Sequence, residues 1–248
     1  MKILVTNDDG ILAPGVRFLA KWASEIGDVT VIAPKSQQSA CSQGIILTRP
    51  FEVVESDAFG DIGIKAYSAD STPADCVRFA VSMLGSYDIV FSGINNGYNL
   101  GYDISYSGTC AAAFEANYAG IKSIAFSTVG ESGASAAAER LPAIWKFVCD
   151  RKLLESSDML NVNIPPDAKE IRLTVQGKTF FRDKFIPCED LENHYMASGY
   201  MKHVFNEKDY FTDANTALNG ICSVTPLSVC RTDFDSLRNI RDLSPAEI

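Results

Sequence analysis

Four groups of oxygen-bearing side chains stand out along the first 110 residues. Asp8 and Asp9 are adjacent and are followed by Gly10. Neighbouring carboxylates repel each other and are costly to hold together without a cation. Oxygen ligands of this kind suit Mg²⁺ or Mn²⁺. Within a strand the two side chains would point to opposite faces, so they share one ion only where the chain turns, and Gly10 permits the turn. The simpler reading is a capped turn before a helix. The polar loop 35–44 brings Ser39 and Ser42, either of which could reach such a site or merely be solvated. The run Asn95-Asn96-Gly97-Tyr98-Asn99 offers amide oxygens in a loop that needs positive φ. Finally, Ser107-Gly108-Thr109 opens an alanine-rich helix with two hydroxyls and unpaired backbone N–H groups. That is the composition of a phosphate cradle, and equally of an ordinary Ser/Thr cap.

The elements that must position these groups follow from hydrophobic pattern. Ile3-Leu4-Val5 is apolar without alternation, as a strand buried on both faces is. Val16, Leu19, Ala20, Ala23 and Ile26 mark one helix face ending at Gly27, and Val29–Ala33 is a second strand. Strand, helix and strand make a βαβ unit, without the Gly-x-Gly-x-x-Gly of a dinucleotide site. Short strands are expected at 45–47, 51–54 and 62–67, as a small β insertion on the rim. Thr72-Pro73 starts a helix running to about Leu84, with Asp75 as a capping residue rather than a catalytic one. Strands are expected at 88–94, 123–127 and 160–164, and a helix at 134–150 that Pro142 restarts or kinks. The alternation implies an α/β fold with a mostly parallel sheet. All four oxygen-rich groups then fall at strand carboxyl ends or on the rim beside them, where open α/β sheets bind ligands.

From about residue 171 the pattern changes to β segments at 172–175 and 200–205, a polar loop-like stretch at 206–219 and a short strand at 223–227. Residues 1–170 are read as the core. Residues 171–248 are read as an extension without a full core of its own, packing on its own domain or on a partner chain. His194 and His203 both fall there, and structural or solvated roles are expected for them.

With 248 residues, 46% of them hydrophobic, the chain can bury a large core. A net charge of −9 argues against a general electrostatic grip on nucleic acid. The seven cysteines include no Cys-x-x-Cys pair and read as thiols of a reducing compartment. No signal-peptide layout and no apolar run of spanning length is present. A cytoplasmic protein without membrane contact is expected.

Taken together and in order, these stretches resemble the SurE family, the survival-protein-E nucleotidases. The resemblance is carried by Asn7–Gly10, Gln38-Ser39, Ser71–Val77, Ser92–Gly101, Tyr106–Thr109, Leu160–Asn163, Thr212-Asp213 and Ser223–Leu227. It implies a Rossmann-like three-layer core and a β-rich C-terminal extension for homodimer or homotetramer assembly. It also implies a metal-dependent phosphatase acting on nucleoside 5′-monophosphates, in some members also on 3′-nucleotides or short polyphosphate. Carried onto this sequence, one divalent cation, Mg²⁺ or Mn²⁺, is held by Asp8, Asp9, Ser39 and Asn95. Asn96, Ser107, Gly108 and Thr109 lie on the phosphate side, and Asp8 or Asp9 would also orient the attacking water. Two departures stand out. Gln43 stands where the family usually has a histidine or similar polar residue, Gly44-Ile45-Ile46 replaces a Ser-x-Thr run, and Ala116 replaces the glycine that commonly follows the glutamate matching Glu115. The contrasting expectation is a non-catalytic, metal-dependent nucleotide sensor on the same fold, since fold does not decide function.

Overall fold

The computed structural model describes residues 1–130, 132–202, 211–234 and 236–237. Its strands are β1 (Lys2–Thr6), β2 (Asp28–Pro34), β3 (Val53–Ser56), β4 (Lys65–Ala69), β5 (Ile89–Asn96), β6 (Lys122–Thr128), β7 (Met159–Asn163), β8 (Ile171–Leu173), β9 (Phe180–Pro187), β10 (Tyr195–Lys202) and β11 (Cys222–Leu227). The helices are α1 (Pro14–Ala23), α2 (Pro73–Phe79), α3 (Gly108–Tyr118), α4 (Gly133–Asp150), α5 (Leu153–Ser156) and α6 (Asp213–Leu218). A π turn, Ala80–Leu84, prolongs α2, and a 3₁₀ segment, Gly101–Tyr106, precedes α3.

Nine strands form one sheet in the order β3-β4-β2-β1-β5-β6-β7-β11-β8. Pairing is parallel except where β3 meets β4 and β11 meets β7. The expected α/β architecture with a mostly parallel sheet is therefore observed. Alternation of side chains sends Ile3, Val5, Val29 and Val31 to one face, where α1 and α4 cover them, and Leu4, Ile32 and Val90 to the other, against α2 and α3. Trp22 and Trp145 from the first helix layer pack on Phe91 and Phe126 of the sheet. Among the described residues, no helix is long and apolar enough to cross a membrane.

Several elements differ from the sequence-based expectations. Residues 45–47 are not a strand. The expected rim insertion is instead the edge of the main sheet, because β4 pairs parallel with β2 and carries β3 beside it. Pro142 lies inside one continuous helix. The stretch 211–219 contains α6, where Thr212 Oγ1 accepts from the Asn215 N–H at 3.3 Å; residues 206–210 of that expected loop lie outside the described residues, as does His203. Beyond residue 170, β8 and β11 join the core sheet, while β9 and β10 pair as a separate hairpin. His194, in the turn of that hairpin, is exposed and contacts the Glu192 carbonyl through Nδ1 at 2.8 Å.

The β1–β5 pair is where successive strands are laid down on opposite sides of β1, a topological switch point. Just there β5 bulges: its register against β6 shifts between Ser92 and Asn95. Bulges re-aim side chains beside binding sites, and beyond this one Asn95 and Asn96 resume pairing, with Ser127 and Thr128, in a shifted register. Helix α1 begins against the bulge, so closely that a Cβ on Gly15 would lie 1.9 Å from the Ile94 carbonyl oxygen. Gly15→Ala is expected to destabilise the fold by about 3 kcal/mol, because backbone on both sides must shift. A urea midpoint equal to that of the parent chain would contradict this.

Candidate active site

The cleft above the carboxyl ends of β1 and β5 has a volume of 650 Å³, and Asp8, Asp9, Ser39, Asn95, Asn96 and Ser107 all line it. These are six of the eight site residues singled out from sequence. Asp8 and Asp9 follow β1 directly, and the turn is shaped by Asn7, whose side chain makes hydrogen bonds to both the carbonyl and the N–H of Gly10. The loop after β2 is tied to the same turn, since Gln38 N–H donates to the Asp8 carbonyl at 2.7 Å. That bond sets Ser39 over the cleft.

Asp8 is nearly buried, 6% exposed, and accepts from the Thr109 hydroxyl at 2.6 Å. Burial pushes its carboxyl up to about 6 against an ordinary value of 3.8; the Thr109 hydrogen bond opposes this and the Asp9 charge adds to it. Asp9 is half-buried and accepts from Gln37 Nε2 at 3.2 Å and from the Asn96 N–H at 3.0 Å. The Asn95 amide donates to the Gly97 carbonyl at 2.7 Å, which leaves its oxygen as the acceptor end of the group.

Ser107 is the N-cap of α3, accepting from the Cys110 N–H at 3.0 Å, and it lines the cleft as well. The two readings of the Ser-Gly-Thr start are thus compatible. Thr109, by contrast, is fully buried behind Asp8 and commits its hydroxyl to that carboxylate. Gly108 is closely faced: a Cβ there would lie 2.8 Å from Asp8 Cβ, 2.9 Å from Cys41 Sγ and 3.0 Å from Asp8 Oδ2. A bare backbone at this point lets the first turn of α3 approach the carboxylate.

Among the described residues no group of three or more His, Cys, Asp and Glu side chains converges. The available donors are two carboxylates with a hydroxyl and an amide oxygen, an all-oxygen set that fits a hard divalent cation and not a thiolate- or imidazole-bound metal. The structure also brings to the cleft residues that sequence reasoning did not assign: Gln37, Tyr98, Asp103, Tyr106, Val129 and Asp183. Gln37 and Tyr98 sat inside stretches already marked as rim loops. Asp183 comes from β9, and no local signal connects it with residues 8 and 9.

Asp75 departs from the capping role expected of it. Thr72 caps α2 by accepting from the Asp75 N–H at 3.2 Å. The Asp75 carboxylate, nearly buried, instead accepts from Ser71 Oγ at 2.7 Å and from the Ile46 N–H at 2.8 Å. Gln43, one of the departures noted above, meets Glu115 at 3.4 Å. These contacts fasten the far end of the loop that bears Ser39.

An α/β sheet with a switch point beneath paired carboxylates, amide oxygens and a capped helix start defines an α/β protein with an oxygen-lined cleft at its strand ends. The family described as "Survival protein SurE" matches residues 3–183, and the chain belongs to it. It is similar to 5′-nucleotidase SurE 1 of Thermus thermophilus, 41% identical over 98% of each chain. It is also similar to 5′-nucleotidase SurE of Deinococcus radiodurans, 38% identical over 98% of this chain and 93% of that one. The crystal structure of the SurE protein from Aquifex aeolicus superposes with a TM-score of 0.79 at 32% identity, covering 98% of this chain and 99% of the other.

Proposed function

We propose that this protein is a metal-dependent phosphatase that hydrolyses nucleoside 5′-monophosphates. The observation that carries the reading is the convergence of Asp8, Asp9, Ser39 and Asn95 with the Ser107 start of α3 in one cleft at the sheet's switch point. Those four residues would hold a single Mg²⁺ or Mn²⁺. When bound, the cation supplies neutralisation of charge at the phosphoryl oxygens. Asp9 is braced by Gln37 and by the Asn96 backbone, so its carboxylate is presented in a fixed direction. Ser107 and the amide of Gly108 offer donors to phosphate oxygens at the positive end of α3. Thr109 acts through Asp8, keeping that carboxylate oriented. Tyr98, Tyr106 and Val129 give the same cleft an apolar flank for a nucleoside.

The relatives named as 5′-nucleotidases support the nucleotide substrate. Exposed apolar side chains on the β9–β10 hairpin (Phe185, Ile186, Tyr195, Met196 and Tyr200) support assembly into a homodimer or homotetramer through that arm. Seven cysteines, all unpaired, fit a cytoplasmic protein.

The test is phosphate release from a panel of nucleoside 5′- and 3′-monophosphates and tripolyphosphate, with Mn²⁺, with Mg²⁺ and with chelator. Metal-dependent release, fastest with a 5′-monophosphate, is expected. Nucleotide binding by calorimetry without release under any metal would overturn the reading and leave the sensor.

A further inference from the structure

The loop 97–102 joins the two halves of the cleft. It starts from Asn95-Asn96 on β5 and feeds the 3₁₀ segment that ends at Tyr106, just before Ser107. Its first half is anchored from the sheet. Asn163 Oδ1 accepts from the Asn99 N–H at 2.8 Å, and the amides of Asn161 and Asn163 donate to the Asn99 carbonyl at 2.8 and 3.0 Å. Its second half is anchored from beyond residue 170. Asp213, on α6, is fully buried and accepts from the Gly101 N–H at 2.9 Å and from the Gly177 N–H at 2.8 Å. Gln176 Nε2 donates to the Gly101 carbonyl at 2.7 Å, and the Tyr102 N–H donates to the Thr179 carbonyl at 2.8 Å. One residue, Gly101, is therefore gripped at both its N–H and its carbonyl.

We infer that Asp213 and Gln176 are positioning residues for the phosphate half of the cleft. Neither lines the cleft. Both fix the residue from which the 3₁₀ segment starts, and hence the placement of Ser107 and Gly108 six and seven residues on. The metal half has separate supports: Asn7 and Gln38 hold the Asp8-Asp9 turn, and the β5–β6 pairing holds Asn95. The consequence is a split. Loosening Gly101 should weaken the grip on phosphate and leave the grip on the cation almost untouched. A general structural role would weaken both.

The inference rests on the proposed phosphatase reading only for its kinetic readout. Asp213→Asn keeps the size but sets an NH₂ against at least one of three N–H donors, those of Gly101, Gly177 and Ala214, and Gln176→Ala removes a single hydrogen bond. By calorimetry, with inorganic phosphate as the probe in saturating Mn²⁺, binding is expected to weaken about tenfold in Asp213→Asn and about threefold in Gln176→Ala. Mn²⁺ binding alone should change less than twofold in both. KM for a nucleoside monophosphate should rise in step with the loss of phosphate binding. Gln176→Ala removes no buried charge, so it keeps the inference testable if Asp213→Asn fails to fold. Phosphate affinity unchanged in Gln176→Ala, or Mn²⁺ affinity falling as far as phosphate affinity, would overturn the inference. If the parent protein releases no phosphate yet its phosphate binding weakens in the variants, the positioning role stands and the hydrolase reading falls.

Discussion

Asp9→Asn is expected to lower metal-dependent phosphate release by about 10³-fold. The substitution keeps the size of the side chain and removes one of two carboxylates available for a cation. It also sets an amide NH₂ toward one of the two donors that now brace Asp9, the Gln37 side chain or the Asn96 N–H. Both losses fall on the same function, because the charge that binds the cation and the direction in which it is presented come from one group. Asp9 is half-buried, so the fold should tolerate the exchange. A parent-like urea midpoint together with lost turnover is the expected pair. Steady-state release within tenfold of the parent protein would remove Asp9 from the machinery.

Asp8→Asn is expected to act in opposite directions on activity and on stability. The folded-state carboxyl is raised, by burial first, to about 6 from 3.8. Below about 3.8 Asp8 is protonated in both folded and unfolded chains, and the charge costs nothing. As pH climbs through about 6 the folded chain must ionise a buried group, and stability present at low pH is lost. The difference corresponds to about 3 kcal/mol, fully exacted above pH 7. An asparagine carries no such cost and still accepts the Thr109 hydroxyl. In chelator at pH 8 the variant should therefore unfold at a higher temperature than the parent, and at pH 4 the two should coincide. Adding Mn²⁺ at pH 8 should raise the parent midpoint and leave the variant where it is, while phosphate release by the variant is lost. Sites that sacrifice stability for chemistry behave this way. Equal midpoints in chelator at pH 8 would show that Asp8 carries no ionisation cost in the fold.

The sequence revealed those parts of the molecule whose cause is local. Unalternated runs such as Ile3–Val5 and Val29–Ala33 read as buried strands because both faces of the sheet are covered. Thr72-Pro73 read as a helix start because capping needs only neighbours. What was missed depends on partners far along the chain. Ile45-Ile46-Leu47 has strand-like composition, but the Ile46 N–H is committed to Asp75, 29 residues away. Helix α6 is six residues long, too short for periodicity, and its Thr212 cap was its single local sign. The same division holds in the site. Adjacent aspartates, the Asn run and Ser-Gly-Thr were legible by type and spacing. That Thr109 serves Asp8, and that the separate β9–β10 hairpin brings Asp183 to the cleft, depends on tertiary packing, which composition does not encode.

The placement of β11 has a consequence for biosynthesis. This strand lies between β7 and β8, and β8 has no other neighbour in the sheet. β8 leaves the ribosome some fifty residues earlier, yet it has nothing to pair with until Cys222–Leu227 emerge. The edge of β7, with Leu160 and Val162, stays bare over the same interval and invites pairing with other chains. α6, which grips Gly101, is made in that same late stretch. A nascent chain therefore carries its aspartates long before it can organise the rest of the cleft, and the translation of the last strand serves as the moment at which the protein is armed.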